Sequence, residues 1–120
     1  MDYLINIIII LIAIEHCGFL YLEMFLWTRK SGRKIFSLSD EHAKITKVLA
    51  ANQGLYNGFL CLGLIWGLAH PDAAFGRQLN LFFLCCIIIA GIYGGITVKR
   101  TIFYIQALPA IIACILILIN

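Results

Sequence analysis

Residues 3–27 read YLINIIIILIAIEHCGFLYLEMFLW, and residues 28–34, directly after them, read TRKSGRK. A helix rises about 1.5 Å per residue, so about 20 apolar residues cross the hydrocarbon core of a bilayer. The first run exceeds that length and stops at Arg29, Lys30, Arg33 and Lys34. Asp2 stands where a signal peptide carries cations, and the run is too long for a cleavable apolar stretch. It is therefore expected to remain in the mature protein as a spanning helix.

The rest of the chain repeats the pattern. Ser39 with His42, or Ser37 with Asp40 and Glu41, offers a cap for a second helix that starts near Asp40. That helix enters the membrane around Val48 and leaves near Leu68. His70-Pro71-Asp72 is a stop, because the residue before proline disfavours helical geometry. A third span over 78–98 ends at Lys99-Arg100, and a fourth over 101–119 carries Pro109 as an expected kink. The fold class expected is all-α, an integral membrane four-helix bundle in one domain, with spans at about 3–27, 48–68, 78–98 and 101–119.

Composition agrees. Apolar residues make up 62% of the 120 residues and charged ones 12%. A soluble domain carries about twice that charge. Of the nine basic residues, all but Arg77 fall in the first and third connectors or the start of the second helix. The positive-inside rule then expects those connectors in the cytoplasm and both termini outside. Trp27 and Trp66 are expected at opposite membrane faces. The net charge of +3 forms no basic stripe, and no Gly-rich phosphate loop is present, so nucleic acid is not an expected partner. Cys17, Cys61, Cys85, Cys86 and Cys114 lie inside apolar runs without a C-x-x-C pair. They read as packing residues, with no metal site expected. No residue pattern identifies a cofactor.

Gly54 and Gly58, Gly63 and Gly67, and Gly91 and Gly95 are each four apart, a spacing that lets helix backbones approach closely in lipid. They point to tight packing of spans two and three, within the chain or between copies, and a homo-oligomer is expected.

Polar residues inside spans are expensive and therefore informative. The first span holds Glu15, His16 and Glu23, with His16 and Glu23 seven residues apart on one face. The second holds Asn52, Gln53, Tyr56 and Asn57 as two adjacent i, i+4 stripes. Tyr93, Thr97 and Arg100 share a face of the third, and the fourth adds Tyr104 and Gln106. Under the orientation above, Glu23, Asn52, Tyr56, Tyr93 and Gln106 fall in one layer roughly 6–12 Å below the inner surface. The other half of every span is nearly featureless. Two readings are open: a polar pocket facing the cytoplasm with Lys99 and Arg100 at its rim, or a hydrogen-bond network gluing helices together. For Glu15 and His16 the alternatives are a catalytic or proton-relay pair and a satisfied buried pair. His42 and His70, in connectors, read as solvated.

Several segments carry a resemblance. They are Ala13-Ile14-Glu15-His16, Gly18 to Phe25, Ala50-Ala51-Asn52-Gln53-Gly54-Leu55-Tyr56-Asn57-Gly58-Phe59-Leu60, Ala90-Gly91-Ile92-Tyr93-Gly94-Gly95, and Lys99-Arg100-Thr101 to Pro109. Together they resemble a small bacterial membrane family, domain of unknown function 1304. The resemblance covers nearly the whole chain and implies a four-span bacterial membrane protein. An epimerase label attached to some members finds no nucleotide-binding fold here to support it. A fainter likeness is to the four-span membrane-associated eicosanoid and glutathione metabolism enzymes, carried by Asn52, Tyr56 and the Tyr93 to Arg100 spacing. Leu55 and Val48 stand where those enzymes have Glu and a thiol-peptide-binding Arg. That likeness implies a trimer with a site open to the cytoplasm.

Three functions are thus in view. The first is a membrane enzyme on a lipophilic or anionic small molecule, with Glu23, His16 and Tyr93 as catalytic candidates. Glu15, Asn52, Gln53, Tyr56, Asn57, Thr97, Arg100 and Gln106 would bind. The second is a small transporter or channel with Glu15 as carrier. The third is a structural or interaction subunit without catalysis.

Overall fold

The computed structural model describes residues 1–120 and contains helices and short connectors. We number the helices α1 (Asp2–Phe25), α2 (Lys30–Phe36), α3 (Asp40–Ala69), α4 (Ala73–Thr97) and α5 (Arg100–Ile119). All but α2 are long and apolar enough to cross a membrane. By contact the chain divides into two compact units, Met1–Ala13 with Leu60–Asn120, and Ile14–Phe59.

The first unit is a bundle of four helical segments, from α1, α3, α4 and α5. Its core takes Ile5, Ile9 and Ile12 from α1, Cys61 and Leu64 from α3, Leu84 and Ile87 from α4, and Ala110, Ala113 and Ile117 from α5. Spacings of three, four and seven residues put each set on one helix face. Large apolar side chains such as Ile7, Leu11, Phe82, Ile89 and Leu118 point outward. In water such a surface would drive aggregation; in hydrocarbon it is solvated.

Pro109 does not simply bend α5. Residues Phe103–Ala107 form a π-helical turn, in which the Leu108 N–H reaches back five residues to the Phe103 carbonyl. Proline has no N–H and its ring crowds the carbonyl four residues earlier. The wider turn just before it accommodates both defects without breaking the helix.

The second unit is the C-terminal part of α1, the short α2 and the N-terminal part of α3. The short helix α2 lies within the first basic connector. It ends in a left-handed Ser37 (φ 55°), whose N–H donates to the Lys34 carbonyl while Leu38 N–H donates to that of Arg33. This crossed pair satisfies the last carbonyls of the helix. Of the two caps proposed for α3, Ser39 serves: its Oγ accepts from the His42 N–H at 3.1 Å. Asp40 pairs with Lys44 at 2.7 Å, and that contact holds its carboxyl below the ordinary range. Trp27 Nε1 donates to Thr46 Oγ1 at 2.9 Å, tying the end of α1 to α3.

The glycine pairs serve three different contacts, not one. Gly54 and Gly58 receive Met24, Glu23 and Leu20 of α1; Gly63 and Gly67 receive Phe83 and Asn80 of α4; Gly91 and Gly95 receive Ala107 and Phe103 of α5. A Cβ at Gly91 would lie 2.6 Å from the Ala107 backbone nitrogen, whereas one at Gly18 meets nothing within 4 Å. Gly91→Ala is therefore expected to cost about 1–3 kcal/mol through forced backbone shifts. Gly18→Ala should leave stability unchanged or slightly raised. Thermal unfolding of both variants in mild detergent measures the difference.

Candidate functional site

Glu23 lies in the last turn of α1, and Asn57 lies near the middle of α3. Asn57 Nδ2 donates to Glu23 Oε1 at 2.7 Å, and the same amide nitrogen lies 3.3 Å from the Gln53 carbonyl. The approach depends on glycine. A Cβ at Gly54 would stand 3.0 Å from Glu23 Cβ and 2.8 Å from Met24 Cγ, so a side chain there would push the two helices apart. Asn57 is 5% exposed and Glu23 is half-buried. A carboxyl group in a spanning helix is costly unless it meets a donor, and Asn57 is that donor.

His16, 1% exposed, meets the ring of Phe19 edge-on at 5.6 Å. It precedes Glu23 on α1 by about two turns. Glu15, next to it, is half-buried. On α3, Asn52 and Gln53 are exposed, as is Tyr56, whose ring packs edge-on against Phe59 at 5.7 Å. Among these residues, side-chain bonding joins Glu23 to Asn57; Asn52, Gln53 and Tyr56 face outward.

The sequence candidates of the other unit are spread along α4 and α5. Tyr93 is 70% exposed, and Thr97 Oγ1 donates back to the Tyr93 carbonyl at 2.7 Å, which spends its hydroxyl on its own helix. Arg100 opens α5 and, with Lys99, Tyr104 and Phe103, lines an open hollow of about 610 Å³. That hollow pairs two cations and a phenol with apolar walls, a combination suited to an anionic head on an apolar body. Gln106 lies half-buried within the π-helical turn. Glu15, His16, Glu23, Asn52, Gln53, Tyr56 and Asn57 lie in the second unit, and Tyr93, Thr97, Arg100 and Gln106 in the first.

The half of the spans read as featureless is not so. Asp2, Asn6, His70, Arg77 and Asn80 line a cavity of about 290 Å³. His70, read as solvated, is partly covered and packs on Phe75 with ring centroids 4.7 Å apart. The signal available was Asn80, an amide eight positions into α4 and as anomalous among its apolar neighbours as Asn57.

Asn57→Leu leaves the Glu23 carboxyl without its donor and is expected to destabilise by about 1–3 kcal/mol. Adding Glu23→Met should recover part of that loss, since removing both partners of a polar pair is far cheaper than removing one. Unfolding of the two single variants and the double variant in detergent gives the coupling; simple additivity would show that the bond contributes nothing.

The sequence profile of the family described as "Protein of unknown function (DUF1304)" matches residues 10–118. A relative in Lactococcus lactis subsp. lactis (strain IL1403), "Uncharacterized protein YpaA", is 32% identical over 117 residues, covering 96% of this chain and 97% of its own. No solved structure matches the chain. A profile match across nearly the whole length, with a relative of the same extent, shows that this chain belongs to the DUF1304 family.

Proposed function

We propose that this multi-pass membrane protein is an enzyme acting on a lipophilic or anionic small molecule, with Glu23 as its acid or base. The 2.7 Å bond from Asn57 to Glu23 carries this reading. Interhelical adhesion needs only amides and hydroxyls, which bond across helices without bringing a titratable group into hydrocarbon. An acid set against a single amide donor is oriented by that donor and keeps its second oxygen for a substrate. His16, buried on the same helix, is the second proton-handling group. Tyr56, in the same unit, supplies a phenolic donor; in the other unit Lys99 and Arg100 offer an anion-binding hollow of their own.

Orientation and assembly belong to the same proposal. The charge bias puts the first and third connectors in the cytoplasm and both termini outside, with Glu23 toward the cytoplasmic leaflet. Asn52 and Gln53 are exposed on α3 and Tyr93 on α4. Unpartnered amides are unfavourable in lipid, so a second copy of the chain covering them accounts for their positions.

The test of function is native mass spectrometry on protein extracted with its lipids. The wild-type chain is expected to release a small lipophilic molecule of one defined mass, retained at least about tenfold less by Glu23→Leu, a loss of about 1.4 kcal/mol in binding. Equal retention by the variant would remove Glu23 from the site. Orientation is tested separately by Ser31→Cys, since Ser31 is exposed on α2 while a side chain at neighbouring Gly32 would strike the Leu26 carbonyl. A membrane-impermeant maleimide should label Ser31→Cys only after permeabilisation. Labelling in intact cells would reverse the topology.

A further inference from the structure

The cavity lined by Asp2, Asn6, His70, Arg77 and Asn80 lies wholly within the first unit and has no part in the Glu23 chemistry. At its mouth two opposite charges stand side by side: Arg77 Nη2 lies 3.7 Å from Asp2 Oδ1, beyond ordinary hydrogen-bond length. Both side chains are substantially exposed, at 45% and 73%, so the pair is loosely held and open to an inserted ligand. Asn120 Nδ2 donates to the same Asp2 oxygen at 2.6 Å and fixes the carboxylate in place. His70 Nδ1 lies 3.1 Å from both the backbone N–H and the carbonyl oxygen of Asp72, contacts that hold the ring at the edge of the cavity.

The inner wall is more telling. Asn80 is 5% exposed, and its Oδ1 carries no hydrogen bond. It sits where a side chain on Gly67 would collide with it, so Gly67 is what admits the amide. A buried amide oxygen with no partner is rare in folded proteins and signals a missing donor. The cavity measures about 290 Å³, against roughly 30 Å³ for each water in the liquid. It has room for a small polar molecule and not for an acyl chain. Ile5, Ile9 and Ile117 complete its apolar side.

We propose that this cavity binds a compact zwitterion, its anionic oxygens on Arg77, its ammonium on Asp2, and its remaining polar atoms against Asn6 and Asn80. Opposite charges this close reject a simple anion or cation, because either would meet a like charge beside its partner. The zwitterion is a phosphoethanolamine group, whether at the head of a lipid in the adjoining leaflet or as a free soluble molecule.

Thermal unfolding of the purified full-length protein in detergent tests this with phosphatidylethanolamine, phosphatidylglycerol and soluble glycerophosphoethanolamine. Phosphatidylethanolamine is expected to raise the midpoint by several degrees, and phosphatidylglycerol to do so far less. Arg77→Gln and Asp2→Asn, both at exposed positions, should each abolish the response while keeping the ligand-free midpoint. A matching response to glycerophosphoethanolamine identifies the free molecule as sufficient, and a response to the lipid alone identifies the headgroup in its leaflet. Equal stabilisation by both lipids, a response that survives both variants, or no response to either zwitterion overturns the proposal.

Discussion

Hydrocarbon offers no hydrogen bonds, and nearly every feature of this chain answers to that fact. Backbone groups must be satisfied within the segment that carries them, so the apolar runs are helices from end to end. The exceptions fall at the termini, where Ser39 and Asp72 accept the first free N–H groups of α3 and α4. Hydroxyls inside or near spans bond back to their own helix, as Thr97 does to Tyr93 and Thr46 to His42. Asn57 and Glu23 satisfy each other instead. The same constraint removes the driving force that packs a soluble core, because lipid tails are as apolar as leucine. What holds these helices is close contact, and close contact needs small residues. Hence Ala107, Ala110 and Ala113 are fully buried beside core residues such as Leu84 and Ile87, while many other large side chains, Ile7, Leu11 and Leu118 among them, face outward.

Hydropathy and charge made the four long helices legible, since length and composition suffice for that inference. The Ser39 cap was legible as one of two options. Other elements were not. The helix α2 has only seven residues, no side-chain cap, and a left-handed serine at its end where glycine is usual. Nothing in TRKSGRK signals it. The glycine spacing announced close faces, but spacing along one helix cannot say which neighbour fills them, and three different neighbours do.

The candidate site divides in the same way. Glu23 and Asn57 were each conspicuous as polar groups in apolar runs, yet their pairing was not. Counting residues from a membrane surface fixes height along a helix, whereas bonding also requires the right azimuth. Tyr93 and Asn52 satisfy the first condition, and their side chains are exposed. Asn80 stands alone in its apolar run, whereas the other polar residues within spans cluster toward the basic connectors. One amide in an apolar run carries the same physical cost as one in a cluster, and the structure shows it buried with an unsatisfied oxygen.

The π-helical turn before Pro109 also alters how the last helix must be read. Each of its five residues advances the chain by less rotation than an α-helical residue, and together they add about one residue to a turn. Faces assigned by a constant 100° step are therefore out of phase on either side of 103–107 by about one position. Tyr104 and the alanines further along belong to two separately indexed wheels. In an aligned relative, a single-residue deletion inside this turn would be absorbed as an ordinary α-helix, leaving the faces beyond it in the same orientation. Gaps placed there deserve to be treated as changes of local helix type that leave the outward and inward faces where they were.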